Sequence, residues 1–393
     1  MELKKNVKCG DCLDLFREVE DNSIDLIYID PPFFTQRSHA LKTKNGDKEF
    51  KFDDTWENST SYQDFLKQRL EQAKRVLKDT GSVFFHCDKS GSHLARGVMD
   101  EVFGEENFQS EIIWYFKRWS NSRKGLLGAH QNIFFYSKTS EFKFNQILQE
   151  YSPTTNVDQI MQRRSRDNRN KSVYATDTEG NIVTGGTKKG VPLSDVWEIP
   201  FLNPKAKERV GYPTQKPIAL LKRIIEISTD EGDTILDPFC GSGTTLVAAN
   251  LANRNAIGFD ISNDAVDLAN SRLENPVETN SSLLKNGIAS YSTHNEEAIT
   301  ALSGIEYTPV HRNSGIDGLL KSEMEGKPVF VRVQRNTETV LEAAESIKKA
   351  SKGKGDCKLL VFATKHDLFP SSDILDVIVV PTTSYSVASL LSS

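Results

Sequence analysis

The chain has 393 residues, 37% of them hydrophobic and 26% charged, with a formal net charge of −5; this is the balance of an ordinary folded protein with room for two or three domains. It excludes a disordered tail, and no run reaches the roughly eighteen apolar residues of a membrane span. The net negative charge argues against a protein that coats nucleic acid indiscriminately, and the start Met1-Glu2-Leu3-Lys4-Lys5-Asn6 has no apolar stretch after its charges, so a cytoplasmic location is expected.

Cys9 and Cys12 form one CxxC around Gly10-Asp11, and no second pair completes a zinc set. The pair reads as thiols packed near a strand end in a reducing compartment. Ile24-Asp25-Leu26-Ile27-Tyr28-Ile29 predicts a buried strand that ends at Asp30 and is broken by Pro31-Pro32. A helix is expected from an N-cap at Ser61, with Asp64 in capping-box position and Tyr62, Phe65, Leu66, Leu70, Ala73, Val76 and Leu77 on one face, stopped by Gly81. Strands follow at 82–87, 111–116 and 132–137. Trp114, Lys117, Arg118 and Trp119 mix aromatic and basic residues, either as core tryptophans or as the lining of a cleft.

From about 145 to 210 regular patterning fades and basic residues gather: Arg163, Arg164, Arg166, Arg169 and Lys171, then the loop Gly185 to Gly190. Residues 111–210 hold 16 Lys/Arg against 10 Asp/Glu, so phosphate contacts are sought here. Alternation resumes at Pro217, which suits a first helical turn, with Ile218, Leu221, Ile224 and Ile225 on one face. Thr234-Ile235-Leu236 reads as a strand feeding a glycine turn and a helix, and Ala256-Ile257-Gly258-Phe259 as another, ending at Asp260. The expected fold is α/β, a doubly wound and mostly parallel sheet formed by 1–144 and 211–275. An insertion spans 145–210, a linker rich in Asn, Ser and Thr spans 276–303, and a small α/β domain occupies 304–393.

Two stretches carry the chemistry. In Asp237-Pro238-Phe239-Cys240-Gly241-Ser242-Gly243-Thr244-Thr245 small residues let a ligand approach the backbone at a strand-to-helix turn. The third glycine of a dinucleotide fingerprint would fall at Leu246, so a nicotinamide or flavin site fits poorly. Asp260, at the end of the next strand, is placed to accept from ribose hydroxyls, which implies a nucleoside cofactor. The second stretch is Asp30-Pro31-Pro32-Phe33. Its prolines fix the backbone and lack N–H groups, so the Asp30 carboxylate and the Pro31 carbonyl form a preorganised pair of acceptors, and Phe33 adds a flat face.

Asp30 to Phe33 resembles the catalytic tetrapeptide of S-adenosylmethionine-dependent DNA amino-methyltransferases, and Asp237 to Thr245 resembles their cofactor motif. The catalytic motif comes first and the cofactor motif some two hundred residues later, with a basic insertion between, as in the permuted group called the beta class. The resemblance covers roughly residues 1–275 and implies a Rossmann-like methyltransferase sheet with S-adenosyl-L-methionine as cofactor and double-stranded DNA as partner. An exocyclic amine is a poor nucleophile until its hydrogens are held and its lone pair freed; Asp30 and the Pro31 carbonyl would accept those hydrogens while the extruded base stacks on Phe33. No metal is called for, since the sulfonium already activates the methyl group.

By the same resemblance Asp11 lies near the cofactor adenine. Tyr212-Pro213-Thr214-Gln215-Lys216-Pro217 reaches the methionine carboxylate through Thr214 and Lys216. Asp237, Phe239, Gly241, Gly243, Thr244, Thr245 and Asp260 complete the cofactor site, and the 145–210 insertion resembles a target recognition domain in position. Phe33 departs from the commoner tyrosine and keeps the stacking face. Members that make N4-methylcytosine usually begin the tetrapeptide with serine, so Asp30 favours N6 of adenine.

RNA and protein-glutamine methyltransferases place the cofactor motif first, which disfavours them here. A non-catalytic DNA-binding protein on the same fold is disfavoured by the intact Asp30, Pro31, Pro32, Gly241, Gly243 and Asp260. A homodimer, a cognate restriction endonuclease and a restriction-linked role are left open. In the C-terminal domain Gly315-Ile316-Asp317-Gly318 and the strand from Val329 to Arg335 resemble restriction-endonuclease-like domains, although an unrelated α/β module fits the few matching positions equally. Arg332 and Gln334 stand where the active members of that group carry a metal ligand and a lysine. No nuclease activity is expected on either reading, and the domain would supply DNA contacts or self-association.

Overall fold

The computed structural model describes residues 5–42, 49–116, 125–149, 162–183, 190–203, 206–279, 296–310, 313–365, 373–374, 376–383, 385–386 and 390. The chain divides into two compact units, Met1–Asn280 and Ser281–Ser393.

In the first unit β1 (Lys5–Cys9) leads through the single turn α1 (Cys12–Leu15) to β2 (Ile24–Ile29). All six residues of β2 are buried, a condition met only by a strand inside a sheet covered on both faces. A hairpin of β3 (Ser38–Lys42) and β4 (Glu49–Asp53) follows, then α2 (Ser59–Val76), β5 (Leu77–Cys87), α3 (Ser92–Phe103), β6 (Phe108–Tyr115) and β7 (His130–Ser137). Helix α2 begins earlier than the expected Ser61. Asn58 is the N-cap, accepting from the Ser61 backbone N at 2.9 Å, while the Ser61 hydroxyl accepts from Asn58 N at 3.2 Å. Both residues are good caps, and the one a turn earlier wins because Ser61 can still close the capping box behind it. Gly81 does not stop this helix, which turns into β5 at Leu77; Gly81 lies within β5, where a Cβ would come within 2.8 Å of the Leu77 side chain.

Beyond β7, two short antiparallel pairs form: β8 (Leu148–Gln149) with β11 (Val191–Pro192), and β9 (Arg164–Arg166) with β10 (Ser172–Tyr174). Strand β12 (Val196–Glu198), inside the expected insertion, pairs in parallel with β6 and belongs to the main sheet. Then come α4 (Ile218–Ser228), capped by Pro217 just outside the helix, β13 (Thr234–Asp237), α5 (Thr244–Leu251), β14 (Asn255–Asp260) and α6 (Asn263–Glu274).

The strand order is β1-β14-β13-β2-β5-β7-β6-β12, parallel throughout except that β7 runs against both neighbours. Helices α1, α2 and α3 pack on the face that presents Ile27, Ile29, Val83 and Phe85, and α4, α5 and α6 cover the other. The winding reverses between β13 and β2, which pair directly through Ile235 with Leu26 and Leu236 with Ile27. The crevice at such a reversal, beyond the carboxyl ends of the strands, is where open α/β sheets bind ligands.

The second unit, taken by itself, is α7 (Glu296–Ala301), β15 (Tyr307–Pro309), β16 (Gly318–Leu320), β17 (Val329–Val333), α8 (Val340–Ser351), β18 (Lys358–Ala363), β19 (Asp373–Ile374) and β20 (Val377–Pro381). Its sheet order is β15-β16-β17-β18-β20-β19. Helix α8 buries Ala343, Ala344 and Ile347 on one face, while Ala298 and Leu302 bury against Val329, Val331 and Val333 on the other. Residues 296–302 thus pack into this unit, although the sequence reads 276–303 as a linker.

Candidate active site

The carboxyl ends of β1, β2, β13 and β14 deliver Gly10, Asp30, Asp237 and Asp260 to one cleft of 1040 Å³. Three of these four are carboxylates, and burial raises the pKa of each. Asp237 is pushed up to about 7, and the Lys216 ammonium opposes the rise at Asp30.

Asp30 ends β2 with its side chain 17% exposed. Its Oδ2 accepts from Lys216 Nζ; its Oδ1 is buried without a hydrogen-bond partner and lies 4.0 Å from His86 Nδ1. Burial, then the Lys216 charge, holds His86 well below its ordinary pKa. Neutral, it accepts from the Tyr28 hydroxyl at 2.6 Å through Nδ1 and donates through Nε2 to Gln131 Oε1 at 3.0 Å, the tautomer being assigned from this network. Pro31, Pro32 and Phe33 also line the cleft.

Phe33 is held by residues that sequence reasoning missed. Asp54, buried, accepts from Phe33 N at 3.1 Å and from Thr35 Oγ1 at 3.1 Å, and Trp56 Nε1 donates to the Phe33 carbonyl at 3.0 Å. The Phe33 ring centroid lies 5.7 Å from Lys216 Nζ. An acid followed two residues later by a tryptophan is a faint signal, and nothing in its spacing points back some twenty residues to the tetrapeptide.

On the cofactor side Asp260 binds the turn itself: Oδ2 accepts from Gly241 N and Oδ1 from Ser262 N, both at 2.9 Å. Asp237 Oδ1 accepts from Phe239 N at 3.0 Å. Gly241 has φ +49°, and a Cβ there would sit 3.0 Å from the Tyr212 ring. Thr214, Asp237, Phe239, Gly241, Thr244, Thr245 and Asp260 all line the cleft. Gly243 does not. It caps α5 at φ +73°, where a Cβ would meet the Ala269 Cβ at 2.6 Å, so its role is to let α6 pack close rather than to face a ligand. Behind the turn, Arg272 donates to the Ser242 carbonyl at 2.6 Å and to Thr244 Oγ1 at 3.0 Å.

Asp11 caps α1 by accepting from Leu13 N at 2.9 Å, and its two oxygens accept from Arg69 Nη2 at 2.9 Å. Arg69, stacked 3.7 Å above the Phe65 ring, is another residue the sequence did not reveal. Lys216, expected at the cofactor carboxylate, lies in the cleft with its ammonium on Asp30. The cleft is lined by Asp11, Asp30, Asp54, Asp88, Asp237 and Asp260 against Arg37, Arg69, Arg209 and Lys216, an acidic excess that suits S-adenosylmethionine, which carries a sulfonium and an ammonium beside one carboxylate.

Trp114 is fully buried and donates to the Ile199 carbonyl at 2.7 Å, so it belongs to the core. Lys117, Arg118 and Trp119, like the Gly185 to Lys189 stretch, lie outside the described residues. Arg163, Arg164, Arg166, Arg169 and Lys171 are all exposed on or beside the β9–β10 hairpin, and none lines the cleft. Arg164 stacks 4.2 Å over the Tyr174 ring, and Asp167 Oδ1 accepts from Arg169 N and Lys171 N at 2.8 Å.

In the second unit the positions compared with a nuclease centre are consumed by pairing. Asp317 accepts from Val333 N at 2.7 Å and pairs with Arg335. Arg332 donates to Glu338 Oε2 at 2.7 Å and to the Ser314 carbonyl at 2.6 Å; Gln334 donates to the Glu338 carbonyl at 3.1 Å and accepts from Thr364 N at 3.0 Å. Among the described residues no group of three or more His, Cys, Asp or Glu is placed to hold a metal ion.

A mostly parallel sheet with a nucleoside-type turn after β13, an acid at the end of β14 and an Asp-Pro-Pro tetrapeptide after β2, all on one cleft, defines an S-adenosylmethionine-dependent amino-methyltransferase. Residues 24–271 match the N6/N4 family described as DNA methylase, and the chain belongs to that family. It is 30% identical over 271 residues to type II methyltransferase M.HpaI of Haemophilus parainfluenzae, covering 68% of this chain and 73% of that one. It is 32% identical over 271 residues to type II methyltransferase M.BamHI of Bacillus amyloliquefaciens, spanning 68% of this chain and only 56% of that relative. Among solved structures, PvuII DNA methyltransferase (cytosine-N4-specific) aligns with 70% of this chain and 88% of its own at 19% identity, with a TM-score of 0.47. The protein is a DNA methyltransferase that uses S-adenosylmethionine. No helix among the described residues is long and apolar enough to cross a membrane.

Proposed function

We propose that this methyltransferase is site-specific and methylates N6 of adenine in a base extruded from double-stranded DNA. The carrying observation is that Asp30, not serine, ends β2 beside the glycine turn of β13 in a shared cleft. A carboxylate at that place gives a strong charged acceptor for one amine hydrogen, and the Pro31 carbonyl is the acceptor for the other. The cofactor supplies an activated methyl group; the chain's own residues hold the amine, stack the base on Phe33 and exclude water. Asp237 and Asp260 serve the cofactor's ammonium and ribose side, with Thr214, Thr244 and Thr245 around them. The basic hairpin at Arg163, Arg164, Arg166, Arg169 and Lys171 supplies phosphate contacts that hold the duplex while the base is out.

The test is to incubate unmethylated genomic DNA with enzyme and cofactor, then read modified bases and their flanks by single-molecule sequencing. N6-methyladenine at one recurrent sequence is the expected result; N4-methylcytosine would overturn the choice of base, and scattered marks would overturn site specificity. Asp30→Ala should lower transfer at saturating cofactor by about 10²-fold or more.

A further inference from the structure

Asp30 presents two unlike oxygens. Oδ1 is buried with no hydrogen-bond partner. Oδ2 accepts from Lys216 Nζ, so, with Oδ1 buried, the lysine covers the oxygen left for the target amine. Lys216 is itself 8% exposed at the side chain, and besides Asp30 its ammonium faces the Thr214 carbonyl at 3.5 Å, a distance too long to be a strong bond, and the Phe33 ring. The lysine sits on the segment just before α4 and Asp30 directly follows β2, and both line the one cleft. This buried ammonium is thus paired with the protein's own carboxylate, and on the reading of the cleft given above a ligand carboxylate would compete for it. Leaving a buried ammonium with neither partner is costly, so it exchanges one for the other.

We propose that Lys216 is a positioning residue whose ammonium is shared between the Asp30 carboxylate and the carboxylate of the bound cofactor, so that the amine acceptor is uncovered when cofactor occupies the cleft. This rests on the reading of the cleft given above. Exchange of this kind is reciprocal: whatever Lys216 gives up at Asp30 is subtracted from cofactor affinity, and removing Asp30's claim returns it.

The experiment is a calorimetric double-mutant cycle with S-adenosylhomocysteine, which keeps the carboxylate and lacks the sulfonium charge, so that loss of an aspartate does not act through the sulfur. Asp30→Asn is expected to tighten binding by at least about fivefold, and Lys216→Met to weaken it. In the Lys216→Met background the effect of Asp30→Asn should vanish. The same pattern is expected with Asp30→Ala and Lys216→Gln, a second pair of variants should either of the first fail to fold. Unchanged or weakened binding by Asp30→Asn would overturn the proposal, as would tightening that persists without Lys216, because that would be a general charge effect. If the wild-type protein does not bind S-adenosylhomocysteine, the cofactor reading itself fails, an outcome separate from a wild type that binds but shows no coupling.

Discussion

Asp237 is the residue whose ionisation is most exposed to test. Burial, followed at a distance by the like charges of Asp30 and Asp260, lifts it from the usual carboxylate range to about 7, while bonds from Thr245 and Phe239 N oppose the rise. In the ligand-free protein the native state keeps this proton when the unfolded chain has lost it. Asp237 therefore takes away stability progressively as pH rises from about 4 to about 7, and the loss is constant above that. Asp237→Asn should flatten this part of the stability curve, as read by chemical denaturation at a series of pH values in that window. A slope identical to the wild type would place the titration elsewhere. Cofactor should reverse the order: its ammonium favours the ionised carboxylate, so affinity should fall as pH drops below about 7.

Asp54 makes a second residue-scale prediction. Two of its bonds fix the backbone of Phe33 and the hydroxyl of Thr35. Asn can still accept from Phe33 N, and Thr35 can turn its hydroxyl to accept, so Asp54→Asn should retain most activity, whereas Asp54→Ala leaves both donors without their partner at about 1–3 kcal/mol. Transfer rates for the two variants decide it, and equal losses would mean that the charge, not the hydrogen bonds, matters.

Among elements, the β9–β10 hairpin has no apolar residue of its own in the core; Val173 is 37% exposed and the strand residues Arg164 to Arg166 face water. Replacing Arg163, Arg164 and Arg166 together by alanine should therefore spare the fold, weaken DNA binding and lower the salt slope by up to about three units, near one per lost phosphate contact. Filter binding across a salt series reads it, and an unchanged slope would assign these arginines to solvent alone.

The same scale explains what the sequence discloses. Strands β2 and β13 are legible because they are apolar runs ended by Asp-Pro, a pattern that needs no tertiary knowledge. The start of α2 is less so, since Asn58 and Ser61 can both cap and only the closed box discriminates. Gly81 reads as a helix stop because glycine usually is one, yet here it sits in β5 close to the Leu77 side chain and the Asp25 carbonyl. Val196–Glu198 is three residues long, too short to show a period, and joins the sheet only through pairing with β6. The site's own acids were readable from motif context, while Asp54, Arg69 and His86 act through contacts distant in sequence, and such contacts leave no local pattern.

For the whole molecule, the second unit lies beyond the matched residues 24–271. With Asp317 paired to Arg335 and Arg332 to Glu338, a metal would have to break two buried ion pairs to enter. Supercoiled plasmid carrying the methylated sequence, incubated with Mg²⁺ or Mn²⁺ at high enzyme concentration, should stay uncut; cleavage that Asp317→Ala removes would contradict this.

The direct pairing of β2 with β13 also sets a timetable for synthesis. Leu26 and Ile27 leave the ribosome some two hundred residues before Ile235 and Leu236, their partners. At typical elongation rates that delay is roughly ten to forty seconds. During it one edge of this fully buried strand can be covered by β5, and the other has no native neighbour yet made. Nascent chains stalled before residue 234 should thus be bound by holdase chaperones through this edge, and release should follow once β13 emerges, making the order of motifs along the gene a constraint on how the enzyme is made as well as on what it does.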